Sequence, residues 1–462
     1  MVLKLYNTLT GVKEEVKPIR DDNTIRMYIC GPTVYDDSHL GHFRTFIFYD
    51  VLVRYLIHKG YNVIHVVNVT DIDDKIINRA NEEGVDYKVI SERYLKSFIE
   101  DWVSLNLLPP YVMPRATYHI KDMIKIIEGL MKKGYAYQAD GDIYFDISRF
   151  SGYGLISKQD INELIEGYRV EVRRGKRNPL DFALWKGWRE GEPYWDSPWG
   201  RGRPGWHIEC TAMSIKFLDP PFEVHGGGED LKFPHHENER AQSNAYLGYE
   251  VAKIWTHVGL FKLGAEKMSK SLGNIIRIKD ALKRYNPSII RIYYITTHYR
   301  KQQIFSEKKL EEAENIYEKI VRVYNHIIDG LNKADEGNKM DFSKYKEKFY
   351  SYMDDDLNTP SALSIFLSFL SEVESYLRRE KKYDYSTLID ALDFTNKVLD
   401  IFGLKIEVKR LDYEKLVELI INVRKELRSR KIYDLSDYIR EELEKLNIML
   451  EDYGEETRYY IL

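Results

Sequence analysis

Residues 28–42 read Tyr28-Ile29-Cys30-Gly31-Pro32-Thr33-Val34-Tyr35-Asp36-Asp37-Ser38-His39-Leu40-Gly41-His42. The stretch begins at the end of an alternating, strand-like run over residues 24–30 and ends where an apolar helix face begins at Gly41. In open α/β sheets a strand–loop–helix junction binds nucleotides, because the first N–H groups of the helix lack partners and point at phosphate. We therefore expect Cys30 to help hold a metal, and His39 and His42 to face a triphosphate.

A second strand is predicted from Asn62 to Val69, a largely apolar and β-branched run that is typical of a strand buried on both faces of a parallel sheet. The helix between the two strands should end near Gly60. Together they form one βαβ unit, which leads into Thr70-Asp71-Ile72-Asp73-Asp74. Polar residues at the carboxyl ends of neighbouring parallel strands look into one crevice, so we expect this segment to border the site.

The pattern changes between residues 116 and 205, where frequent glycines and four tryptophans break it into short pieces. We interpret this region as an insertion between two halves of a nucleotide-binding sheet. The sheet should resume near Gly205, and Trp255 to Leu260 should form its last core strand.

From residue 306 onward the sequence contains many charged residues and long stretches with helical periodicity. Amphipathic helices are predicted from Leu310 to Ile328 and from Tyr413 to Leu427, with linkers at residues 330–338 and 405–412. A length of 462 residues suggests two to four domains in all.

The bulk composition is that of a globular protein, with 44% hydrophobic and 31% charged residues. A net charge of −4 does not indicate nucleic-acid binding, so any such contact must use a local basic surface. The two cysteines, Cys30 and Cys210, exclude a disulfide framework and favour a reducing compartment. Without a signal pattern or a long apolar run, we expect a cytoplasmic protein with no membrane contact.

The candidate metal ligands come from both halves of the predicted sheet. Cys30 and Cys210 lie 180 residues apart, and His235 and Glu239 lie four apart, on one face if that segment is helical. Two thiolates, one imidazole and one carboxylate suit four-coordinate zinc. The cysteine spacing matches no short zinc finger, so buried apolar cysteines beside a solvated helix face remain the alternative.

Three short segments are candidates for binding a nucleotide. His39-Leu40-Gly41-His42 begins a helix, and Lys267-Met268-Ser269-Lys270-Ser271 lies between two glycines and suits a cation clamp on pyrophosphate. Gly226-Gly227-Gly228-Glu229-Asp230 follows a strand, where glycines would let adenosine approach the backbone and Asp230 would bind ribose. Taken singly, each also fits an ordinary surface loop.

Two basic clusters are candidates for RNA backbone contact, with a solvated surface as the equal alternative. Their members are Arg169, Arg173, Arg174, Lys176 and Arg177 in the insertion, and Arg424, Lys425, Arg428, Arg430 and Lys431 near the C-terminus.

Taken together, these motifs and their order along the chain resemble the cysteinyl-tRNA synthetase family, which belongs to the class I aminoacyl-tRNA synthetases. The resemblance runs nearly end to end, and the only departure in the phosphate motif is Leu40 where isoleucine is usual. Besides residues 28–42, it is carried by residues 68–75, 178–186, 205–210, 225–239, 267–274, 355–360 and 437–440.

This resemblance implies an α/β fold with a Rossmann-type parallel-sheet catalytic domain, an inserted connective domain and an all-α anticodon-binding domain. The implied boundaries are residues 1–115 and 206–262 for the catalytic halves, 116–205 for the insertion, 263–305 for the KMSKS loop and stem-contact region, and 306–462 for the helical domain.

The resemblance also implies the activity. The enzyme would activate cysteine with ATP to cysteinyl-adenylate and transfer it to the 3′-terminal adenosine of tRNA(Cys). One zinc per chain would select the substrate thiolate, with Glu239 as the ligand expected to yield, and magnesium would accompany ATP. Partners would be tRNA(Cys), cysteine and ATP, for a monomeric protein.

The resemblance assigns zinc binding, catalysis, ATP binding and cysteine binding to particular residues of this sequence. Zinc would be held by Cys30, Cys210, His235 and Glu239. The catalytic group would be His39, His42, Lys267 and Lys270. ATP would contact His39, Gly41, His42, Gly227, Asp230 and Lys270. The cysteine substrate would lie near Thr70, Trp206 and His225.

Two rival functions stay open at this point. A related enzyme passes activated cysteine to a small-molecule amine and lacks the tRNA-reading tail, whereas a non-catalytic zinc-bearing RNA-binding protein would not need both phosphate motifs. Pyrophosphate exchange and tRNA charging separate these alternatives.

Overall fold

The computed structural model describes residues 2–159, 175–263, 266–267, 276–406, 413–453 and 456–461. The chain divides into two compact units, residues 1–405 and 406–462. The division falls inside the predicted linker at 405–412. The finer domain boundaries expected from the sequence stay a prediction.

The helices and strands of the described residues follow the predicted alternation. The strands are β1 (Lys4–Asn7), β2 (Val12–Glu15), β3 (Thr24–Ile29), β4 (Asn62–Val67), β5 (Ala136–Ala139), β6 (Asp142–Phe145), β7 (Phe182–Gly187), β8 (Gly202–Pro204), β9 (Phe222–Gly228), β10 (Ala252–Val258), β11 (Phe261–Leu263), β12 (Glu266–Lys267), β13 (Gln303–Ile304), β14 (Ala334–Asp335), β15 (Tyr383–Asp384), β16 (Ile448–Tyr453) and β17 (Glu456–Ile461). The helices are α1 (Leu40–His58), α2 (Asp74–Glu83), α3 (Tyr87–Ser104), α4 (Ile120–Lys132), α5 (Trp206–Leu218), α6 (Glu237–Leu247), α7 (Ile278–Ala281), α8 (Pro287–Ile295), α9 (Glu307–Leu331), α10 (Ser343–Asp354), α11 (Thr359–Arg379), α12 (Tyr385–Phe402), α13 (Tyr413–Ser429) and α14 (Tyr433–Lys445). Among these helices, none has both the length and the apolar character that a membrane crossing requires.

The central sheet has four parallel strands in the order β10-β9-β3-β4. The predicted βαβ unit is confirmed as β3, α1 and β4, and all six residues of β3 are buried. From β3 the chain crosses to β4 on one side, whereas β9 is followed by β10 on the other side. The strand order therefore reverses between β3 and β9, which is where open α/β sheets form a ligand crevice.

A second sheet lies between the two halves of the parallel sheet in the sequence. Its strands pair antiparallel in the order β5-β6-β7-β8, and Trp185 of β7 is buried in the adjoining core. Only β5 and β6 are joined by a tight two-residue turn, at Asp140-Gly141, whereas long connections join β6 to β7 and β7 to β8. This sheet is the structural counterpart of the predicted insertion.

The helical character of the C-terminal part is confirmed, with two differences. Helix α9 continues through Gly330 into the predicted linker at 330–338, where a Cβ at Gly330 would meet Leu377 and Leu388 at 3.0 Å. The chain also ends in an antiparallel hairpin of β16 and β17 rather than in helix. Residues 456–461 include Thr457, Tyr459, Tyr460 and Ile461, residue types that favour strands, so the structure differs from the all-α expectation in this segment.

Candidate metal and nucleotide site

Four buried side chains meet at the crevice of the parallel sheet. Cys30 directly follows β3, Cys210 lies in α5, His235 lies in the turn before α6, and Glu239 lies in the first turn of α6. The sulfur atoms of Cys30 and Cys210 are 3.8 Å apart, and Glu239 Oε1 lies 3.2 Å from Cys30 Sγ. His235 Nε2 lies 2.8 Å from Glu239 Oε1, so all four ligand atoms fall within 4.8 Å of one another.

This geometry fits a four-coordinate metal ion compatible with zinc. Two Zn–S bonds of about 2.3 Å at a tetrahedral angle place the sulfurs roughly 3.8 Å apart, which is the distance between Cys30 and Cys210. Two thiols, one imidazole and one carboxylate are also the donor types that select zinc over harder cations. The predicted ligands are therefore brought together by the fold into a group that could hold a metal ion.

The pKa shifts within this group also indicate that a positive charge is favourable at this position. Burial raises the pKa of the Cys30 thiol, and the neighbouring Cys210 and Glu239 raise it further. Burial opposes charge on Glu239 too, but His235 and His225 hold the pKa of that carboxyl well below its usual range. Burial lowers the pKa of His235, yet Glu239 and Cys210 outweigh it and raise the value to about 10. A cation is thus favourable at this position.

Neighbouring side chains orient the His235 imidazole. His207 Nδ1 lies 2.9 Å from His235 Nδ1, which leaves His235 Nε2 directed at Glu239. The indole of Trp206 stacks on the His235 ring with 4.1 Å between ring centroids. Such outer contacts fix the orientation of a metal-binding histidine.

The sequence analysis missed His236. Its Nε2 lies 3.2 Å from Cys30 Sγ, and Cys30, His225, His236 and Glu239 form a second group that could hold a metal ion. His236 Nδ1 also lies 2.8 Å from Nε2 of His257. Helix periodicity offered a signal, because positions i and i+3 share a face just as i and i+4 do. The first group has the thiol pair at the zinc-like separation, so we take it as the principal site.

The three residues expected near the cysteine substrate lie around this group. His225 Nε2 is 3.7 Å from Cys30 Sγ, because Tyr28 of β3 is in register with His225 of β9. Trp206, which is 36% exposed, covers the His235 ring on the crevice side. Thr70 follows β4 and donates a 2.8 Å hydrogen bond to Glu209, the residue next to Cys210. The fold thus places His225 and Trp206 against the metal group and Thr70 against the residue next to Cys210, and their role in binding cysteine stays a prediction.

The two histidines of residues 39–42 meet at the beginning of α1. His39 caps the helix, and its ring stacks on that of His42 at 3.6 Å between centroids. A Cβ at Gly41 would lie 2.9 Å from the His39 ring, so glycine is needed there to admit the imidazole. The helix N-terminus and two imidazoles together form a surface suited to anions.

The other residues predicted to contact the nucleotide lie in different environments. Gly227 is buried inside β9 rather than after it, and a Cβ there would meet Leu231 at 2.8 Å, so side chains of this protein fill the space. Asp230 is exposed in the single turn of 3₁₀ helix after β9. Lys267 ends β12, and Lys270 lies outside the described residues.

Several residues of the two basic clusters contact other side chains of the protein. Arg424 is buried and forms a bidentate pair with Asp452 of β16, at 2.8 Å for both contacts, so it does not face RNA. Arg428 also binds Asp452 at 2.8 Å. In the insertion, Arg177 packs over the Tyr137 ring at 4.1 Å, whereas Arg169, Arg173 and Arg174 lie outside the described residues. Lys425, Arg430 and Lys431 remain exposed.

A buried carboxyl near the loop of His39 makes stability depend on pH. Burial first, then Asp37, raises the pKa of Asp101 to about 7. The unfolded chain ionises this group near pH 4 and the folded chain only near pH 7, so stability falls as pH rises through that window. Asp101→Asn should therefore stabilise the protein at pH 8, by about 1–2 kcal/mol after allowance for solvent screening, and by less at pH 5.

The measurement is the urea unfolding midpoint of Asp101→Asn and wild type at both pH values. Glu92→Gln is the control, because Glu92 is exposed on the same helix and is not among the groups that shift the pKa of Asp101. An equal difference between Asp101→Asn and wild type at both pH values would show that Asp101 ionises normally.

Comparison with known proteins places this geometry in a family. The family described as "tRNA synthetases class I (C) catalytic domain" matches residues 16–315, and the "DALR domain" family matches residues 348–407. The chain is 47% identical over 465 residues to a protein named cysteine–tRNA ligase from Thermococcus gammatolerans, covering 98% of each chain. It is 48% identical over 473 residues to the protein of the same name from Pyrococcus furiosus, covering 99% of each.

Solved structures share the fold at low sequence identity. The leucyl-tRNA synthetase of Agrobacterium radiobacter, solved with tRNA, has a TM-score of 0.63 at 11% identity, covering 84% of this chain and 85% of that one. By the catalytic-domain match and by relatives 47–48% identical over nearly the whole chain, this chain belongs to the cysteine–tRNA ligase family of the class I aminoacyl-tRNA synthetases.

Proposed function

We propose that this protein activates cysteine with ATP and joins it to the 3′-terminal adenosine of tRNA(Cys). The observation that carries the proposal is the buried group of Cys30, Cys210, His235 and Glu239 in the sheet crevice. It occurs in a chain 47% identical, over 98% of its length, to a protein named cysteine–tRNA ligase. The domain boundaries and a monomeric state are part of this proposal.

The metal group supports a choice of substrate by its sulfur. Zinc held by Cys30, Cys210, His235 and Glu239 would bind the thiolate of cysteine and not the hydroxyl of serine. A pocket that rejects serine by size gains only about 10–200-fold, whereas loss of a specific polar partner costs about 10⁴-fold or more. Of the four residues, we propose Glu239 as the one that yields to substrate, because a carboxylate is the hardest ligand of the set.

The pocket residues would hold the rest of the amino acid. The Trp206 indole forms an apolar wall that already packs on His235. The Thr70 hydroxyl donates to Glu209 and accepts from the Asn68 side-chain amide at 3.5 Å, and its second lone pair would accept a hydrogen bond from the substrate ammonium. His225 stacks on Trp255 at 4.2 Å between centroids, which holds its imidazole in place beside Cys30.

The first chemical step needs no protein nucleophile. The cysteine carboxylate attacks the α-phosphate of ATP, and pyrophosphate leaves with its magnesium. His39, Gly41 and His42 at the start of α1, together with Lys267 and Lys270, would bind the phosphates and stabilise the developing charge. We include Asp230 as a ribose contact and Gly227 as part of the adenosine-binding edge. Catalysis would then come from positioning and charge stabilisation.

The test is pyrophosphate exchange with cysteine or serine, with and without a metal chelator, followed by charging of tRNA(Cys). We expect exchange only with cysteine, loss of exchange on chelation, and tRNA charging. A protein that exchanges but charges a small amine in place of tRNA would support the rival enzyme. A protein that binds RNA without exchange would contradict the proposal.

Lys270→Ala should separate chemistry from binding. We expect adenylate formation to slow by about 10²–10³-fold, because one cation on the leaving phosphates is removed, while the cysteine KM changes less than about threefold. A pyrophosphate-exchange titration in cysteine measures both. Lys283→Ala is the control, since Lys283 is an exposed lysine paired with Asp280 at 2.9 Å. Equal losses in rate and cysteine affinity would refute the role.

A further inference from the structure

Backbone pairing joins the loop that carries His39 to residues 276–278, which lie just beyond the Lys267–Asn274 segment in the sequence. The amide of Leu40 donates to Ile276 O at 3.0 Å, and the amide of Ile278 donates to Ser38 O at 3.1 Å. Between these bonds, His39 and Arg277 form an antiparallel bridge. The residues that directly follow the Lys267–Asn274 motif are thus fixed against the loop that carries His39.

A single carboxylate reinforces this pairing from three sides. Asp37 Oδ1 accepts a 2.8 Å hydrogen bond from Ser97 of α3, and Oδ2 accepts from the Lys279 ammonium. Arg277 Nε lies 3.7 Å from the same Oδ2. The side chain of Asp37 is only 11% exposed, so these contacts are partly shielded from water.

The charges around Asp37 explain why it is ionised. Burial opposes its charge, but Lys279, Ser97 and Arg277 together keep the pKa of Asp37 below its usual value. Its neighbour Asp36 does not share the role, because its carboxylate lies 3.6 Å from Arg79 of α2 instead. The two adjacent acids therefore serve different contacts.

We propose that Asp37 is a positioning residue for adenylate formation, which sets the register of residues 276–279 against the loop of His39. Without it, the two backbone hydrogen bonds would have to hold together segments that lie 242 residues apart in the sequence, and a single backbone hydrogen bond contributes little net stability. The ion pairs add both energy and a fixed geometry. Asp37 acts through His39 and the neighbouring motif and contacts no substrate itself.

This inference rests on the proposed function, and its effect should be specific to ATP. The metal group and the residues around Thr70 and Trp206 do not contact Asp37. Asp37→Asn removes the negative charge and keeps the side-chain size. We expect kcat/KM for ATP to fall about 10- to 100-fold, since a misplacement of about 1 Å costs up to about 10²-fold. The cysteine KM and the metal content should stay within about twofold.

The experiment is pyrophosphate exchange, titrated in ATP at saturating cysteine and in cysteine at saturating ATP. Asp280→Asn is the matched control, because Asp280 lies on α7 beside Lys279 but pairs with Lys283. The double variant Asp37→Lys with Lys279→Asp restores an ion pair across the same contact and should recover at least a third of the lost kcat/KM for ATP.

The outcomes separate the inference from the function. If wild type exchanges and Asp37→Asn retains kcat/KM for ATP within twofold, the positioning role is wrong and the proposed function stands. Parallel loss for ATP and cysteine, with a lowered melting temperature, would show a merely structural role and overturn the inference. If wild type shows no cysteine-dependent exchange, the proposed function itself fails.

Discussion

Cys210→Ser is expected to abolish cysteine-dependent pyrophosphate exchange, with a loss of at least about 10³-fold. The hydroxyl of serine does not ionise near neutral pH and is a poor ligand for a soft cation, so the site loses one of its two thiolates. Metal content should fall from the proposed one ion per chain to below about a tenth. Elemental analysis of the purified protein and the exchange assay measure both effects.

The matched control places the same hydroxyl on the same helix away from the metal group. Ala212→Ser adds a hydroxyl to a buried position of α5, two residues from Cys210, so it reports the cost of a buried polar atom alone. It should keep its metal. A Cys210→Ser protein with a full complement of metal and normal exchange would remove Cys210 from the site.

Asp356→Ala is expected to lower the free energy of unfolding by about 2–4 kcal/mol, because three donors lose one buried acceptor. Asp356 is fully buried, and its Oδ1 accepts from the Tyr6 amide at 2.8 Å and from the Tyr299 hydroxyl at 2.6 Å. Its Oδ2 accepts from Arg300 Nε at 2.7 Å. Alanine would leave all three donors without this acceptor, at the point where β1, the segment after α8 and the start of α11 meet.

Asp355→Ala is the control, because Asp355 is the next residue but its side chain is 58% exposed and pairs only with Lys13 among the described ion pairs. An exposed pair of this kind contributes less than about 1 kcal/mol. Chemical unfolding followed by tryptophan fluorescence compares the two variants. If both lower the unfolding midpoint equally, the buried network around Asp356 is not the source of the stability.

The local patterns of the sequence predicted the elements that position the site. Alternation over residues 24–30 and the apolar face after Gly41 gave β3 and α1 nearly to the residue, because strand and helix periods are local properties. Gly60 has φ of +88°, as expected of a helix stop. The C-terminal hairpin was missed, since its short strands lie in a charged region with a helical pattern.

The order of the motifs along the chain predicted the candidate site, and the spacing between individual residues supported only part of that prediction. The sequence motifs assigned the four residues of the metal group to one site, and the fold places them together. Spacing alone, however, did not exclude that the two cysteines are unrelated buried residues. His236 was missed although it lies beside His235 in the sequence, because only contact with Cys30 distinguishes it. Arg424 was a candidate for RNA contact, with a solvated helix face as the equal alternative, and its pairing with Asp452 follows from a hairpin that was not predicted.

The sequence by itself determined which chemical groups are available and which local element carries each of them. The tertiary structure alone decided which groups meet. Cys30 and His225 are 195 residues apart and lie in contact only because β3 and β9 are neighbours in parallel register, with Tyr28 opposite His225. Likewise, Asp37 reaches Lys279 across 242 residues. Strand order and register depend on packing summed over the whole sheet, which no local stretch of sequence contains.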